Sequence, residues 1–189
     1  MDAQQNRHVV AAGTSTTTDA LRAIPNFTVG DVLTRIGARH HPPIGLEDFL
    51  LIRHTFVPGD PEQLQGPGDV TAERVLGNTR KQAHSTRLIP ETPPKYWVIF
   101  IADGQRRSRL WSVFENKGLA PGEQGGPWRV FDLRPCDLLA PLEGRLVIEW
   151  NKNAVLWCRK AINAADLPVL ELGEGDDVSF PWFNRVLRS

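Results

Sequence analysis

The sequence lacks the signals that identify secreted and membrane proteins. It contains 2 cysteines in 189 residues, too few for a disulfide framework, so the expected state of Cys136 and Cys158 is the reduced thiol. No apolar run approaches the ~20 residues that a membrane-spanning helix needs, and no secretory signal is visible at the N-terminus. These absences predict a cytoplasmic protein that does not contact a membrane.

Most catalytic and metal-binding motifs are missing as well. None of the 5 histidines stands with a cysteine or another histidine at zinc-ligand spacing. No phosphate-binding loop, dinucleotide fingerprint or Gly-x-Ser-x-Gly elbow occurs. We therefore expect this chain to carry no metal, no cofactor and no catalytic residue of its own.

One spacing is superficially that of a metal-dependent nuclease. Asp103 is followed by Glu115 and Lys117, in the order Asp…Glu-x-Lys. The two carboxylates of such a site must share a metal ion. A hairpin over this segment would instead place Asp103 at the tip and Glu115 far along the returning strand. An autonomous metal-dependent nuclease is therefore the weakest alternative.

The charge is balanced overall but unevenly distributed. Lys and Arg number 22, and so do Asp and Glu, whereas nucleic-acid-binding domains are more often basic. Within residues 74–117, however, nine positions are basic and only Glu91, Asp103 and Glu115 are acidic. Because local charge matters more than the sum, the middle of the chain can still form a surface for a polyanion.

Residues 95–118 predict a β-hairpin with a basic tip. The run 98–101 is continuously β-branched or aromatic, as in a strand buried on both faces, and Asp103-Gly104 is a two-residue turn signal. Arg106, Arg107 and Arg109 follow the turn, and guanidinium groups suit phosphate oxygens and the guanine edge. The hairpin therefore predicts DNA contacts, with a charged tip that only prevents edge pairing as the alternative.

The remaining pattern predicts an α+β fold. Helical spacing at 29–36 and after Thr71 is followed by five or six mostly antiparallel strands. We expect a strongly curved sheet or half-open β-barrel with two or three helices. Residues 1–26 are typical of a flexible N-terminal tail, and residues 27–189 are expected to form a single recognition domain.

Several segments together resemble a known family. They are LLIRHTF (50–56), IADGQRRSRLWSVFENKG (101–118), FDLRPCDLL (131–139), RLVIEW (145–150) and FPWFNRVL (180–187). In this order they look like the N-terminal, non-catalytic region of actinobacterial GIY-YIG nuclease family proteins. The GIY-YIG domain itself is absent, because the chain has one tyrosine, Tyr96, and neither paired motif. The resemblance therefore transfers no catalytic residue.

The resemblance implies a module that selects DNA for a GIY-YIG nuclease domain in cis. By analogy with bacterial defence, such an endonuclease-associated domain would read modified DNA in a restriction system. We therefore predict a recognition module that binds double-stranded DNA, modified or unmodified, for a restriction-type nuclease. The alternative is a protein-interaction or dimerisation domain that forms a homodimer through strand edges, which the zero net charge favours.

The predicted site has two parts. Basic side chains would grip the DNA backbone: Arg106, Arg107, Arg109, Arg80, Lys81, Lys117 and Lys152. A base or modification would be sensed in a pocket formed by Trp111, Trp150, Trp157 and His54. Aromatic walls suit an extruded base, so the tryptophans near basic segments are the candidates for this pocket.

Overall fold

The computed structural model describes residues 28–83, 93–104, 106–121, 128–150, 155–157 and 165–172. The predicted tail and Lys152 lie outside these ranges. Within them the α-helices are α1 (Val29–Gly37) and α2 (Ala72–Arg80). The strands are β1 (Phe49–His54), β2 (Lys81–Ala83), β3 (Tyr96–Ala102), β4 (Arg107–Leu119), β5 (Trp128–Pro135), β6 (Leu146–Glu149), β7 (Val155–Trp157) and β8 (Val169–Leu172). Short 3₁₀ helices cover Leu46–Asp48, Pro67–Asp69 and Asp137–Leu142.

Helix α1 begins at a reciprocal capping box. The Thr28 hydroxyl accepts a hydrogen bond from the Asp31 backbone N–H, and the Asp31 carboxylate accepts one from the Thr28 backbone N–H at 2.8 Å. This arrangement satisfies two backbone donors that the first helical turn leaves unpaired. The helix buries Val29, Val32 and Leu33, so the helical spacing predicted from the sequence is confirmed.

The strands form one mixed sheet. Its hydrogen-bonded order is β2-β5-β4-β3-β1-β7, and β6 joins β4 to β8. Strands β1 and β3 run parallel, with Leu50 opposite Trp97, and every other described strand pair is antiparallel. The chain between the two parallel strands contains α2, as a parallel connection requires.

The sheet curls because its longest strand changes partner. Strand β4 has 13 residues and pairs with β6 near the hairpin tip and with β5 at its far end. Register shifts interrupt its pairing with β3 at Ile99/Phe100 and with β5 between Asn116 and Leu119. Such bulges bend a strand and increase its twist. The result is the strongly curled, mostly antiparallel α+β half-barrel that the sequence predicted.

The sheet is covered on both faces, and β3 is buried along its whole length. Alternate residues of β3 serve two hydrophobic cores, because strand side chains point to opposite faces in turn. The first core lies under α1 and includes Tyr96, Val98 and Phe100. The second core lies under α2 and includes Trp97, Ile99 and Ile101. The central hairpin therefore lies between the two cores, and most of its exposed residues are at its ends.

Two further observations concern the class of protein. Among the described helices, none is long and apolar enough to span a membrane. Cys136 is a free, half-buried thiol, and burial raises its pKa. Cys158 lies outside the described residues.

Candidate nucleic-acid interface

The hairpin tip is organised around a buried ion pair. The Arg109 side chain is almost fully buried, and its guanidinium donates to the Asp103 carboxylate at 3.0 Å and to the Gly144 carbonyl oxygen at 2.7 Å. A neutralised and enclosed guanidinium cannot reach a DNA phosphate. The structure therefore contradicts the prediction that Arg109 grips the backbone, and it assigns this residue a stabilising role.

Two other predicted contacts lie at the surface but are paired. The Arg107 guanidinium donates to the Glu171 carboxylate at 2.8 Å, and the Lys117 ammonium lies 2.8 Å from the Glu115 carboxylate. Exposed pairs of this kind are weak, so they reduce the charge available to a phosphate without removing it. Arg106 is exposed, and no carboxylate within the described ranges pairs with it.

Two of the three indoles of the predicted aromatic pocket are buried in the hydrophobic cores. Trp111 is buried in the second core, where its ring lies 5.9 Å from that of Phe114. Trp150 is buried in the first core, with its ring 5.7 Å from that of Phe100. The prediction that these two indoles line a base pocket is therefore wrong. Trp157 lies opposite Leu50 in the β1–β7 pair, and the placement of its side chain is not described.

A cleft of about 460 Å³ occurs instead beside α2. It lies between the loop at 61–63, the outer surface of α2 and the first residue of β5. Its lining is mixed in polarity and consists of His54, Pro61, Glu62, Gln63, Glu73, Arg74, Gly77, Asn78, Arg80, Lys81 and Trp128. Three of the predicted site residues meet here, namely Arg80, Lys81 and His54.

Helix α2 supplies five of the eleven lining residues, on two adjacent ridges. Residues spaced by three and four along a helix are neighbours on its surface. The two ridges are Glu73-Gly77-Arg80 and Arg74-Asn78, and Lys81 follows as the first residue of β2. The helix begins at the N-cap Thr71, whose hydroxyl accepts a hydrogen bond from the backbone N–H of Arg74. The acidic end of the cleft is therefore at the start of α2 and the basic end at its C-terminus.

The basic end lies beside an exposed indole. Helix α2 runs directly into β2, where Lys81 is opposite Val130 and Ala83 is opposite Trp128. Lys81 and Trp128 are thus diagonal neighbours on one face, at roughly 7–8 Å between backbone positions. The Trp128 side chain remains 45% exposed, which is unusual for so large an apolar group.

The cations of the cleft differ in availability. The Arg74 guanidinium donates to the carbonyl oxygens of Pro61 at 2.9 Å and Gln63 at 2.8 Å, so it fastens the loop to the helix. Arg80 and Lys81 are exposed, and no carboxylate in the part of the chain described here pairs with them. The basic end of the cleft therefore presents two cations to a ligand.

His54 forms the inner side of the cleft in its neutral state. The Thr79 hydroxyl donates to the Val75 carbonyl oxygen at 2.6 Å, so its oxygen must accept from His54 Nε2, which lies at 2.8 Å. Burial lowers the pKa of His54 from 6.5 to about 4, because the charged imidazolium would lose its hydration. His54 is therefore uncharged at neutral pH and cannot attract a phosphate.

The depressed pKa predicts acid sensitivity. Below about pH 6.5 the unfolded chain binds a proton at His54, whereas the folded chain does so only near pH 4, so stability falls as the pH falls between these values. We expect His54→Gln to lose less stability than the wild type between about pH 7 and pH 4.5, by about 2 kcal/mol. Urea unfolding at both pH values measures this difference. Equal losses in the two proteins would contradict it.

The nuclease-like carboxylates are far apart. Asp103 pairs with Arg109 at the tip, and Glu115 lies opposite Tyr96 at the other end of the hairpin, where it pairs with Lys95 and Lys117. The separation is about 25 Å, from eight residues of strand. No cluster of three or more metal-ligating side chains occurs in the described ranges. The geometry therefore does not support a shared metal ion at these two acids.

Comparison with protein-family models, with curated proteins and with solved structures finds no match for the chain. The resemblance to the N-terminal region of GIY-YIG nuclease proteins therefore stays a prediction.

Proposed function

We propose that the chain is a DNA-binding recognition module of a restriction-type nuclease and that it binds DNA through the cleft beside α2. The observation that carries the proposal is the meeting of two exposed cations, Arg80 and Lys81, with the exposed indole of Trp128. The link to a nuclease comes from the resemblance alone. Such a module would act in the cytoplasm, where the DNA is.

This combination of groups suits a nucleic acid. Cations attract the phosphate backbone, and an aromatic ring stacks on a base of any sequence at about 1–3 kcal/mol per base. The cleft volume of about 460 Å³ lies within the usual range of small-molecule sites. The zero net charge does not oppose this function. The acidic residues of the hairpin pair with cations outside the cleft, and they leave Arg80 and Lys81 available to a phosphate.

Substitution of the cations tests the proposal. We expect the double variant Arg80→Ala/Lys81→Ala to bind a labelled duplex of about 20 base pairs roughly tenfold more weakly at low salt. The slope of log affinity against log salt should fall by about 2, one for each lost phosphate contact. Fluorescence anisotropy over a salt series measures both quantities, with unmodified and modified DNA.

A matched control uses two paired cations of the hairpin. Arg107→Ala/Lys117→Ala removes the same charge, but both side chains already have carboxylate partners. We expect it to weaken binding by less than about threefold. Absence of duplex binding by the wild type at low salt would end the proposal, and light scattering on the same samples would then test the dimerisation alternative.

A further inference from the structure

We infer that the cleft takes a single unstacked nucleotide whose base carries an exocyclic amino group, and not the edge of an intact duplex. This inference rests on the proposed function, since it names what that site binds. It requires that the Trp128 indole stack on the base and that residues on the surface of helix α2 form hydrogen bonds with the edge of the base.

Trp128 determines the state of the nucleotide. A base within a duplex has both faces covered by its neighbours, so an indole can stack only on a base that has left the helix. Trp128 is the first residue of β5 and keeps nearly half of its side chain exposed toward solvent. The cation beside it, Lys81, is placed to meet the phosphate of the same nucleotide.

The size of the cleft agrees with one nucleotide. A volume of about 460 Å³ lies within the range of sites that enclose one small molecule. Gly77 faces open space, because a Cβ built on it would meet no atom within 4 Å, so a large side chain at this position would project into the cleft. Glycine is unfavourable inside a helix. Its presence here is therefore consistent with a need for room above α2.

The polar groups of the cleft define the base. Glu62 and Glu73 line it without a described cationic partner, and carboxylates accept hydrogen bonds from the amino groups of cytosine and adenine. The Asn78 side chain also lines the cleft, but its Nδ2 atom is buried and has no hydrogen-bond partner in the described part of the chain. Turned toward the cleft, this amide would pair with a ring nitrogen and an amino group together, as asparagine does with adenine. Thymine offers no exocyclic amino group to these acceptors.

Oligonucleotides with one unpaired base test the inference. The probes are an intact labelled duplex, the same duplex with a single bulged adenine, and the same duplex with a single bulged thymine. We expect the wild type to bind the adenine bulge about tenfold more tightly than the intact duplex and about threefold more tightly than the thymine bulge. Equal affinity for the intact and bulged duplexes would overturn the inference.

Two variants locate the preference in the cleft. Trp128→Ala should reduce the preference for the bulge to less than about twofold while leaving the salt slope unchanged, because no cation is removed. Gly77→Gln should do the same by filling the cleft, and Gly77→Ala is its matched control, since a methyl group leaves most of the space. A preference that survives both Trp128→Ala and Gly77→Gln would overturn the inference.

These results separate the inference from the proposed function. Loss of affinity for all three probes in Arg80→Ala/Lys81→Ala supports DNA binding at the cleft whether or not the bulge is preferred. If that double variant binds all probes like the wild type, the proposed function fails and the inference fails with it.

Discussion

The variant Asp103→Asn is expected to unfold with a free energy about 3 kcal/mol lower than that of the wild type. Arg109 is only 2% exposed, and Asp103 is its carboxylate partner at 3.0 Å. Removal of one member of a buried pair leaves an uncompensated charge in a medium that solvates it poorly, at a cost of about 3–5 kcal/mol. We place the effect at the lower end because asparagine keeps one acceptor oxygen. Urea denaturation followed by tryptophan fluorescence measures it.

Two controls isolate the charge. Glu115→Gln removes a carboxylate from the exposed pairs with Lys95 and Lys117, and it should cost less than about 1 kcal/mol. The double variant Asp103→Asn/Arg109→Met should be more stable than Asp103→Asn alone, because no unpaired charge remains. If Asp103→Asn and Glu115→Gln destabilise the protein equally, water screens the Arg109 pair and its burial has little energetic consequence.

The variant Trp150→Ala is expected to lose about 4 kcal/mol of stability and to keep its DNA affinity under conditions where it is folded. The indole is among the largest fully buried side chains and packs against Phe100 in the first core. Its truncation leaves a cavity that the surrounding sheet cannot fill. Thermal or urea unfolding gives the stability, and anisotropy at low temperature gives the affinity.

The matched variant for this test is Trp128→Ala, which makes the same chemical change at an exposed position. It should cost less than about 1 kcal/mol, because nearly half of the side chain is already in water. We therefore expect Trp150→Ala to lower the stability and Trp128→Ala to lower the DNA affinity. If folded Trp150→Ala fails to bind DNA, the result would support the original prediction that Trp150 forms part of the base pocket.

The fold could be predicted from the sequence because the local sequence patterns agree with the observed architecture. The continuous apolar run of β3 is what a strand between two helical layers needs, and a turn with Gly104 at positive φ follows it. The turn is longer than the two residues predicted, because Ala102 pairs with Ser108. Thr28 and Asp31 form the cap that their spacing suggests. These features depend on residues that are close in sequence, so they can be predicted from local sequence patterns.

The site was harder to predict because the burial and pairing of its side chains depend on residues that are far away in sequence. Arg109 is buried through the Gly144 carbonyl, 35 residues away, and no local pattern reveals that contact. Trp111 and Trp150 resemble pocket residues only because basic residues stand near them in sequence. The missed residue, Trp128, carries a weak signal: it follows the sequence Gly125-Gly126-Pro127, whose composition is typical of a turn at the surface.

Ion pairs along the hairpin would affect how such a protein moves over a chromosome. Background affinity for DNA grows with each phosphate that an unpaired cation can neutralise, and carboxylates already occupy Arg107, Arg109 and Lys117. With these three cations neutralised, the protein would dissociate more quickly from ordinary sequence and would search by repeated encounters from solution more than by sliding. Its residence time on DNA would then depend on whether the cleft is filled. Such a protein would gain selectivity at the cost of a slower search.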